Sequence, residues 1–272
     1  MEFQFFSRNG KVLPIGEAVV PLSSIEYAYG FGVYETLRVV RRNVLFVADH
    51  IERLERSAEQ IGLTHSFGGE VVGKAINDLV AATDSETYNL KILLIGGRTS
   101  EDAVLNIMCL NPLFPDKKLY SEGAKTITYA YERAFPHAKT LNMLQSYLAY
   151  RKAREAGAYD ALLINRGGCI TEGTRTNFFC IKDDTLYSPP EKDLLLGVTR
   201  KHVLEVAAEA GFTIEHVDIP FADLSKYEGA FLTSTSTKVM PIKSVDDFVC
   251  GVRPQALTRL MSAFGEFLSV IK

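Results

Sequence analysis

At 272 residues, 47% of them hydrophobic, the chain is long enough for one large domain or two of ordinary size. Thirty Lys and Arg against 33 Asp and Glu leave a net charge of −3, which speaks against nucleic acid as the main partner, because duplex binders carry a basic surplus. The four widely spaced cysteines, Cys109, Cys169, Cys180 and Cys250, form no CxxC pair and predict reduced structural thiols rather than a disulfide framework or a zinc site. The start MEFQFFSRNG lacks the basic head and apolar stretch of a signal peptide, and no apolar run approaches the roughly 20 residues of a membrane helix. A soluble cytoplasmic globular protein is the expectation.

FQFFSRNGKVLPI reads as a hairpin turning at Asn9-Gly10, and TLRVVRRNVLFV as a second turning at Arg42-Asn43. DHIERLERSAEQIG follows with helical spacing: Ile51, Leu54, Ala58 and Ile61 share a face, Asp49 is placed to cap it and Gly62 to end it. On that count Arg53 shares the face of neither Ile51 nor Leu54. GGEVVGKAINDLVAAT is a second helix, and LKILLIGG and AVLNIMCL have the continuous apolar character of buried strands. NPLFPDKKLYSEG, with two prolines and clustered charge, breaks the pattern and marks a connection. The expected partition is therefore 1–113, a connection 114–123, and 124–272.

The second half opens with strand AKTITYAYER, a proline-containing turn and helix LNMLQSYLAYRKAREAG, stopped by Gly157. Short strands DALLIN, GCITEG, NFFCI and TLYSP come next. Helix TRKHVLEVAAEAG, capped by Thr199 and ended by Gly211, leads to strands TIEHVDI, GAFLTST and KVMPIKSV and a closing helix RPQALTRLMSAFGEFL. There is no internal repeat. The mixture of elements predicts an α+β fold rather than a doubly wound one.

Several residues stand out chemically. Lys139 follows a Pro-containing turn and precedes an apolar helix; such a lysine commonly snorkels, but in a dry pocket its amine would be freed for nucleophilic addition. In LLLGVTRKHVL, Gly197 precedes Val198 and Thr199 at a helix start, which is either an ordinary capped terminus or an anion site. The hydroxyl run Thr233 to Thr237, including Thr235, Ser236 and Thr237, is a polar turn or the rest of such a cradle. Arg53 is either a solvated partner of Glu52 or Glu55 or a bidentate ligand for phosphate. Glu172 lies in a Gly/Thr-rich turn, GCITEGTRTNFF, where neither a surface turn nor a core strand calls for a carboxylate. The five histidines show no HxxxH or HxH spacing, so a metal site is not expected.

The order of these features resembles the class IV aminotransferases, the fold-type IV enzymes that use pyridoxal 5′-phosphate (PLP) and pass through pyridoxamine 5′-phosphate. The resemblance rests on YGFGVYETLRV (29–39), HIERLERSAEQIGL (50–63), the stretch from KTLNML to TEGTRTNFF (139–179), LLGVTRKHVLEVA (195–207) and FLTSTSTKVMPI (231–242). It implies a two-domain fold, D-amino acid aminotransferase-like, with a smaller N-terminal α/β domain and a larger β-rich pseudo-barrel domain carrying helices. It also implies roles. Lys139 matches the lysine that joins the cofactor and shuttles the substrate proton, and Glu172 the carboxylate facing the pyridine nitrogen. Arg53, Val198, Thr199 and Thr235 match phosphate-binding positions, and Asn177 lies near the cofactor. Substrate is expected among Tyr29, Tyr34, Arg38, Lys91, Arg98, Ser236 and Thr237. Residues of the Tyr29 type reach a neighbouring subunit's site in this family, which implies a homodimer.

The activity so implied is ping-pong transfer of an amino group from an amino acid to a 2-oxo acid such as 2-oxoglutarate. KTLN after the turn and VYE at 33–35 resemble D-amino acid enzymes, acting on D-alanine or D-glutamate, more than branched-chain L-amino acid enzymes. Leu144 stands where branched-chain enzymes have a cofactor-contacting tyrosine, and Arg98 lacks the histidine that follows two residues later in the best-known D-amino acid enzymes. An aminodeoxychorismate lyase on the same scaffold is the alternative; a non-catalytic PLP-binding protein is disfavoured by the presence of both Lys139 and Glu172.

Overall fold

The computed structural model describes residues 3–112 and 114–271. Two compact units emerge, Met1–Leu113 with His137–Met143, and Phe114–Pro136 with Leu144–Lys272. The stretch 137–143, which the sequence partition keeps with residues 124–272, makes its backbone pairings in the first unit.

In the first unit, strands β1 (Phe5–Arg8) and β2 (Lys11–Pro14) form the expected hairpin, with Asn9 and Gly10 both at positive φ as a two-residue turn demands. A short helix α1 (Ile25–Ala28) precedes strand β3 (Gly32–Val40), which pairs with the two-residue β4 (Asn43–Val44). The turn between them is Arg41-Arg42, not Arg42-Asn43; both arginines take left-handed φ values, 50° and 65°. Helices α2 (Val47–Gln60) and α3 (Gly69–Ala81) follow, then β5 (Thr87–Ile95) and β6 (Val104–Leu110). Asp49 does not cap α2; the helix starts two residues earlier, after Phe46 in a left-handed conformation, and Asp49 sits in its first turn. The sheet order is β2-β1-β6-β5-β3-β4.

Strand alternation gives this sheet two different faces. Val33, Leu37 and Val39 of β3, Leu90, Ile92 and Leu94 of β5 and Leu105 and Ile107 of β6 pack with Leu54, Ala58, Ile76 and Leu79 of the two helices. The opposite face carries Tyr34, Thr36 and Arg38, whose partners across β5 are Leu93, Lys91 and Asn89.

The second unit holds helix α4 (Lys118–Glu122), inside the expected connection, then β7 (Ala124–Ala130), α5 (Leu144–Glu155), β8 (Asp160–Ile164), β9 (Ile170–Gly173), β10 (Asn177–Lys182) and β11 (Thr185–Ser188). Helix α6 (Val198–Glu209), β12 (Thr213–His216), β13 (Gly229–Ser234), β14 (Lys238–Val245), β15 (Phe248–Val249) and α7 (Gln255–Val270) complete it. The order β10-β13-β14-β7-β8-β9 closes on itself through a β9–β10 pairing, the pseudo-barrel that the family resemblance implies. Among the described residues the closing pairing is a single one, Glu172 opposite Asn177.

Alternation again sorts the side chains. Phe178 and Cys180 of β10 join Leu162, Ile170, Leu232, Met240 and Ile242 in one buried cluster. Phe179 and Ile181, facing the other way, pack with Val203, Val206, Leu257 and Leu260 of α6 and α7. Ala149 and Ala153 of α5 lie against Ala161 and Leu163 of β8; small residues allow that close helix–sheet approach. The four cysteines are free thiols.

Candidate active site

The candidate residues fall into two sets, one in each unit. The first is built on β3. Tyr34 N–H donates to the Lys139 carbonyl at 2.9 Å, Leu141 N–H donates to the Gly32 carbonyl at 2.8 Å, and Val33 bridges Thr140. Lys139 N–H donates to Ser57 Oγ of α2 at 3.1 Å. A Cβ on Gly32 would lie 2.7 Å from both the Leu94 carbonyl oxygen and Leu141 Cδ1. The absence of a side chain there lets the Lys139 segment lie against the strand. The Lys139 amine stands 4.6 Å from the centroid of the Tyr34 ring.

Arg53 is neither solvated nor paired with Glu52 or Glu55. It is buried at 5% exposure, on the α2 stripe that also includes His50, Leu54, Ser57 and Ala58. Its Nε and Nη2 donate to the two oxygens of Glu35 at 2.7 Å each, so the guanidinium's paired fork is taken by a carboxylate of the protein itself. Glu35 shares the core face of β3 and is fully buried. Burial alone would raise its pKa, but Arg53 and then His50 outweigh that and hold the carboxyl well below the usual carboxylate range. His50 is itself pushed down, by burial first, against the pull of Glu35. Its Nδ1 lies 2.7 Å from Glu35 Oε2, a hydrogen bond that the carboxylate accepts.

Lys91, half-buried on β5, stands 3.7 Å from the Tyr34 ring centroid. Arg38 is on the same sheet face. Tyr29 and Arg98 are not gathered there: Tyr29 is 79% exposed, and Arg98, in the β5–β6 loop, lines a cavity of about 470 Å³ with Arg8, Ser24 and Asn106.

The second set is built where the barrel closes. Glu172 is not in a turn; it is a strand residue of β9, 3% exposed. Its Oε1 accepts from Arg133 Nε at 2.6 Å and its Oε2 from Leu195 N–H at 3.3 Å. Arg133 also donates through Nη2 to the Thr174 carbonyl at 3.0 Å. Asn177 donates from Nδ2 to the Leu195 carbonyl at 2.7 Å. Its Oδ1 occupies the space beside Gly197, where a Cβ would approach to 2.1 Å. Gly197, not Thr199, is the residue that begins α6; Val198 and Thr199 are its first two helical residues, and both are buried. An N-terminus of this kind presents backbone N–H groups that have no acceptor within the helix. In the β13–β14 turn, Thr235 and Ser236 are half-buried, while Thr237 is buried, its N–H donating to Ser234 Oγ at 3.2 Å and its carbonyl accepting from Tyr120 at 2.9 Å.

These donor sets fit PLP. The second set offers a buried carboxylate for a pyridine nitrogen and a twelve-residue helix N-terminus with neighbouring hydroxyls for a phosphate. The hydroxyl of Thr233, on the strand leading into that turn, is buried without a hydrogen-bond partner, and buried polar atoms of this kind call for one. The first set offers a lysine amine on an aromatic face. Among the described residues no group of three or more His, Cys, Asp or Glu could hold a metal ion, and no helix is long and apolar enough to cross a membrane.

Arg133 and Glu35 are partners of the site that the sequence reading passes over. Glu35 carries a signal: alternation places it on the core face with Val33, Leu37 and Val39. Arg133, beyond the end of β7, carries none, because its partner lies 39 residues away on β9.

Comparison with known proteins gives the class and then the family. A branched-chain aminotransferase from Thermoproteus uzoniensis, solved with norvaline, superposes with a TM-score of 0.87 over 97% of this chain and 96% of that one, at 25% identity. The branched-chain amino acid aminotransferase of Escherichia coli reaches 0.90 over 97% and 94%, at 22% identity, a likeness of fold. A D-alanine aminotransferase from Bacillus licheniformis is 31% identical over 252 residues, 89% of each chain. The fold is that of the two-domain, fold-type IV PLP enzymes. Residues 32–245 match the family model described as amino-transferase class IV, and the chain belongs to that family, aminotransferases that use PLP and act on amino acids and 2-oxo acids.

Proposed function

We propose that this aminotransferase moves amino groups between a D-amino acid, D-alanine or D-glutamate, and a 2-oxo acid such as 2-oxoglutarate. The observation that carries the reading is the 31% identity to a D-alanine aminotransferase across 89% of both chains, joined by the KTLN and VYE elements. Branched-chain L-amino acids are the second reading, supported by the Thermoproteus uzoniensis enzyme.

Bound PLP supplies an electron sink for the carbanion formed at the substrate α-carbon. Lys139 provides the amine that joins the cofactor, and its Nζ then carries the proton between the substrate α-carbon and the cofactor. Glu172 holds a proton at the pyridine nitrogen by charge attraction, while Arg133 and the Leu195 N–H fix its two oxygens. Val198, Thr199 and Thr235 bind phosphate through backbone and hydroxyl groups. Arg53, with its Nε/Nη2 edge committed to Glu35, contributes positive charge and its remaining N–H donors. Asn177 holds the 195–197 loop in place. Arg38 and Lys91 on the β3–β5 face receive the substrate carboxylate, with Tyr34 forming the pocket wall. Tyr29, Arg98, Ser236 and Thr237 border the substrate in a homodimer, a reading supported by the exposed apolar run Val19, Leu22, Ile25, Tyr27 and Tyr29. The free thiols are consistent with a cytoplasmic location.

Purified protein assayed with D-alanine, D-glutamate, L-leucine and aminodeoxychorismate tests this directly. Turnover of the D-amino acids with 2-oxoglutarate is expected. Transfer from L-leucine alone, or release of pyruvate from aminodeoxychorismate, refutes the substrate reading. Lys139→Ala is expected to abolish turnover; retained transamination refutes the mechanism.

A further inference from the structure

Asp160 opens β8, ahead of the apolar residues Ala161, Leu162 and Leu163, and is fully buried. An apolar side chain would cost less to bury there than a carboxyl group does. Both of its oxygens are directed at the turn between β9 and β10. Oδ1 accepts from the Thr174 hydroxyl and from Thr174 N–H at 3.3 Å, as well as from the adjacent Ala161 N–H at 2.9 Å. Oδ2 accepts from the Thr176 hydroxyl at 2.9 Å. Thr174 and Thr176 are themselves buried, so their hydroxyls depend on a partner inside the protein. One carboxyl group therefore holds both ends of the 174–176 turn. Gly173 makes room for it: a Cβ at that position would lie 2.7 Å from Asp160 Oδ2 and closer still to Thr176 Oγ1.

That turn joins Glu172 to Asn177. Strand alternation puts Asp160 on the same side of the sheet as Leu162, in the cluster that also holds Phe178. Glu172, opposite Leu163, and Asn177, two residues before Phe179, face the other side. The connection between the two sides runs through Thr174. Its hydroxyl and N–H are held by Asp160, and its carbonyl accepts from Arg133 Nη2 at 3.0 Å. Arg133 Nε then donates to Glu172 Oε1 at 2.6 Å. A planar guanidinium anchored at one nitrogen fixes the direction of its other donors.

We propose that Asp160 is a positioning residue for transamination: by pinning the 174–176 turn it sets the Thr174 carbonyl that orients Arg133, and so sets where Glu172 meets the pyridine nitrogen of PLP. The proposal rests on the reading of Glu172 as the carboxylate facing that nitrogen. Asp160 acts through Thr174 and Arg133 and makes no contact with the reacting atoms. A carboxylate misplaced from its ring nitrogen loses charge-assisted hydrogen bonding, which depends steeply on distance and angle.

The test measures binding of pyridoxamine 5′-phosphate, which forms no covalent bond with the chain, to the full protein freed of cofactor. Equilibrium dialysis compares it with the analogue in which carbon replaces the ring nitrogen. Variants are first checked by circular dichroism and by labelling of Lys139 with PLP trapped by borohydride. Asp160→Ala is expected to weaken pyridoxamine 5′-phosphate about tenfold and the analogue less than about twofold. In a Glu172→Gln background the Asp160→Ala effect should vanish, because the group it positions is gone. Asp160→Asn should recover most of the loss: its amide oxygen still accepts from Thr174, and its N–H can donate to a Thr176 hydroxyl turned to accept. Should Asp160→Ala fail either check, Thr176→Val removes one hydroxyl donor, with an expected loss of about threefold for pyridoxamine 5′-phosphate alone. Equal losses for the two ligands, no loss for either, or an asparagine variant as weak as alanine overturns the proposal. Wild-type protein that binds the two ligands equally overturns the reading of Glu172 itself.

Discussion

Replacing Glu35 by glutamine tests whether the buried pair with Arg53 is structural support for a binding group. Glu35 is 0% exposed and accepts from Arg53 Nε and Nη2 and from His50 Nδ1, each at 2.7 Å. Glutamine keeps the shape but removes the charge, leaving the Arg53 guanidinium buried at 5% exposure without its counter-ion. Breaking a buried pair from one side costs about 3–5 kcal/mol. With a urea slope of about 1–3 kcal/mol per M, the unfolding midpoint should fall by roughly 1–5 M. The double variant Glu35→Met/Arg53→Met removes both charges and should recover at least half of the loss, because the guanidinium no longer needs compensation. Urea titrations followed by circular dichroism measure both. A double variant as unstable as Glu35→Gln would refute the argument. The pH dependence adds a second check. A carboxyl whose folded pKa is depressed stabilises above its unfolded value, about 4.3, and loses that contribution as pH falls through the folded pKa. The wild-type advantage over Glu35→Gln should therefore be full at pH 6 and shrink steadily under acid conditions.

Glu172→Gln should leave the fold intact at a cost of about 1–3 kcal/mol, the worth of a charge-assisted hydrogen bond to Arg133, while cutting kcat sharply; near-normal turnover would refute the pyridine-nitrogen role. Gly197→Ala places a Cβ 2.1 Å from Asn177 Oδ1, so it should weaken PLP retention, measured by equilibrium dialysis, more than it lowers Tm. Gly32→Ala forces a Cβ against the Leu94 carbonyl and Leu141; the expected outcome is slow or absent borohydride labelling of Lys139 in a protein that still folds. Wild-type labelling would show that the Lys139 segment does not depend on close approach to β3.

Period-two and period-3.6 patterns place most strands and helices, because one buried face imposes them locally. The misreadings have particular causes. Arg41-Arg42 has none of the Gly, Asn or Asp chemistry that announces a turn, although both residues adopt its φ values. The face of Arg53 is misassigned because an apolar count passes over the polar members of the buried α2 stripe, His50, Arg53 and Ser57. Motif order singles out Lys139, Glu172 and the Val198-Thr199 helix start as candidates. It does not single out Arg133 and the Leu195 N–H, because they reach Glu172 across strands and loops that carry no mutual signal. Glu172 itself changes meaning, from a carboxylate in a Gly/Thr-rich turn to a strand residue inside a polar network.

Among the described residues, the ring of strands in the second unit closes through the register pair Glu172–Asn177, beside a hydrogen bond from Gly173 N–H to the Thr176 carbonyl at 2.8 Å. A side-chain exchange at either position leaves the backbone pairing in place but changes the hydrogen bonds Glu172 makes with Arg133 and Asn177 makes with the Leu195 carbonyl. The face of β3 and β5 that carries Tyr34, Arg38 and Lys91, on a sheet supported from behind by two helices, can vary without touching that closure. On the proposed reading of that face as the substrate site, directed variation of substrate preference belongs there.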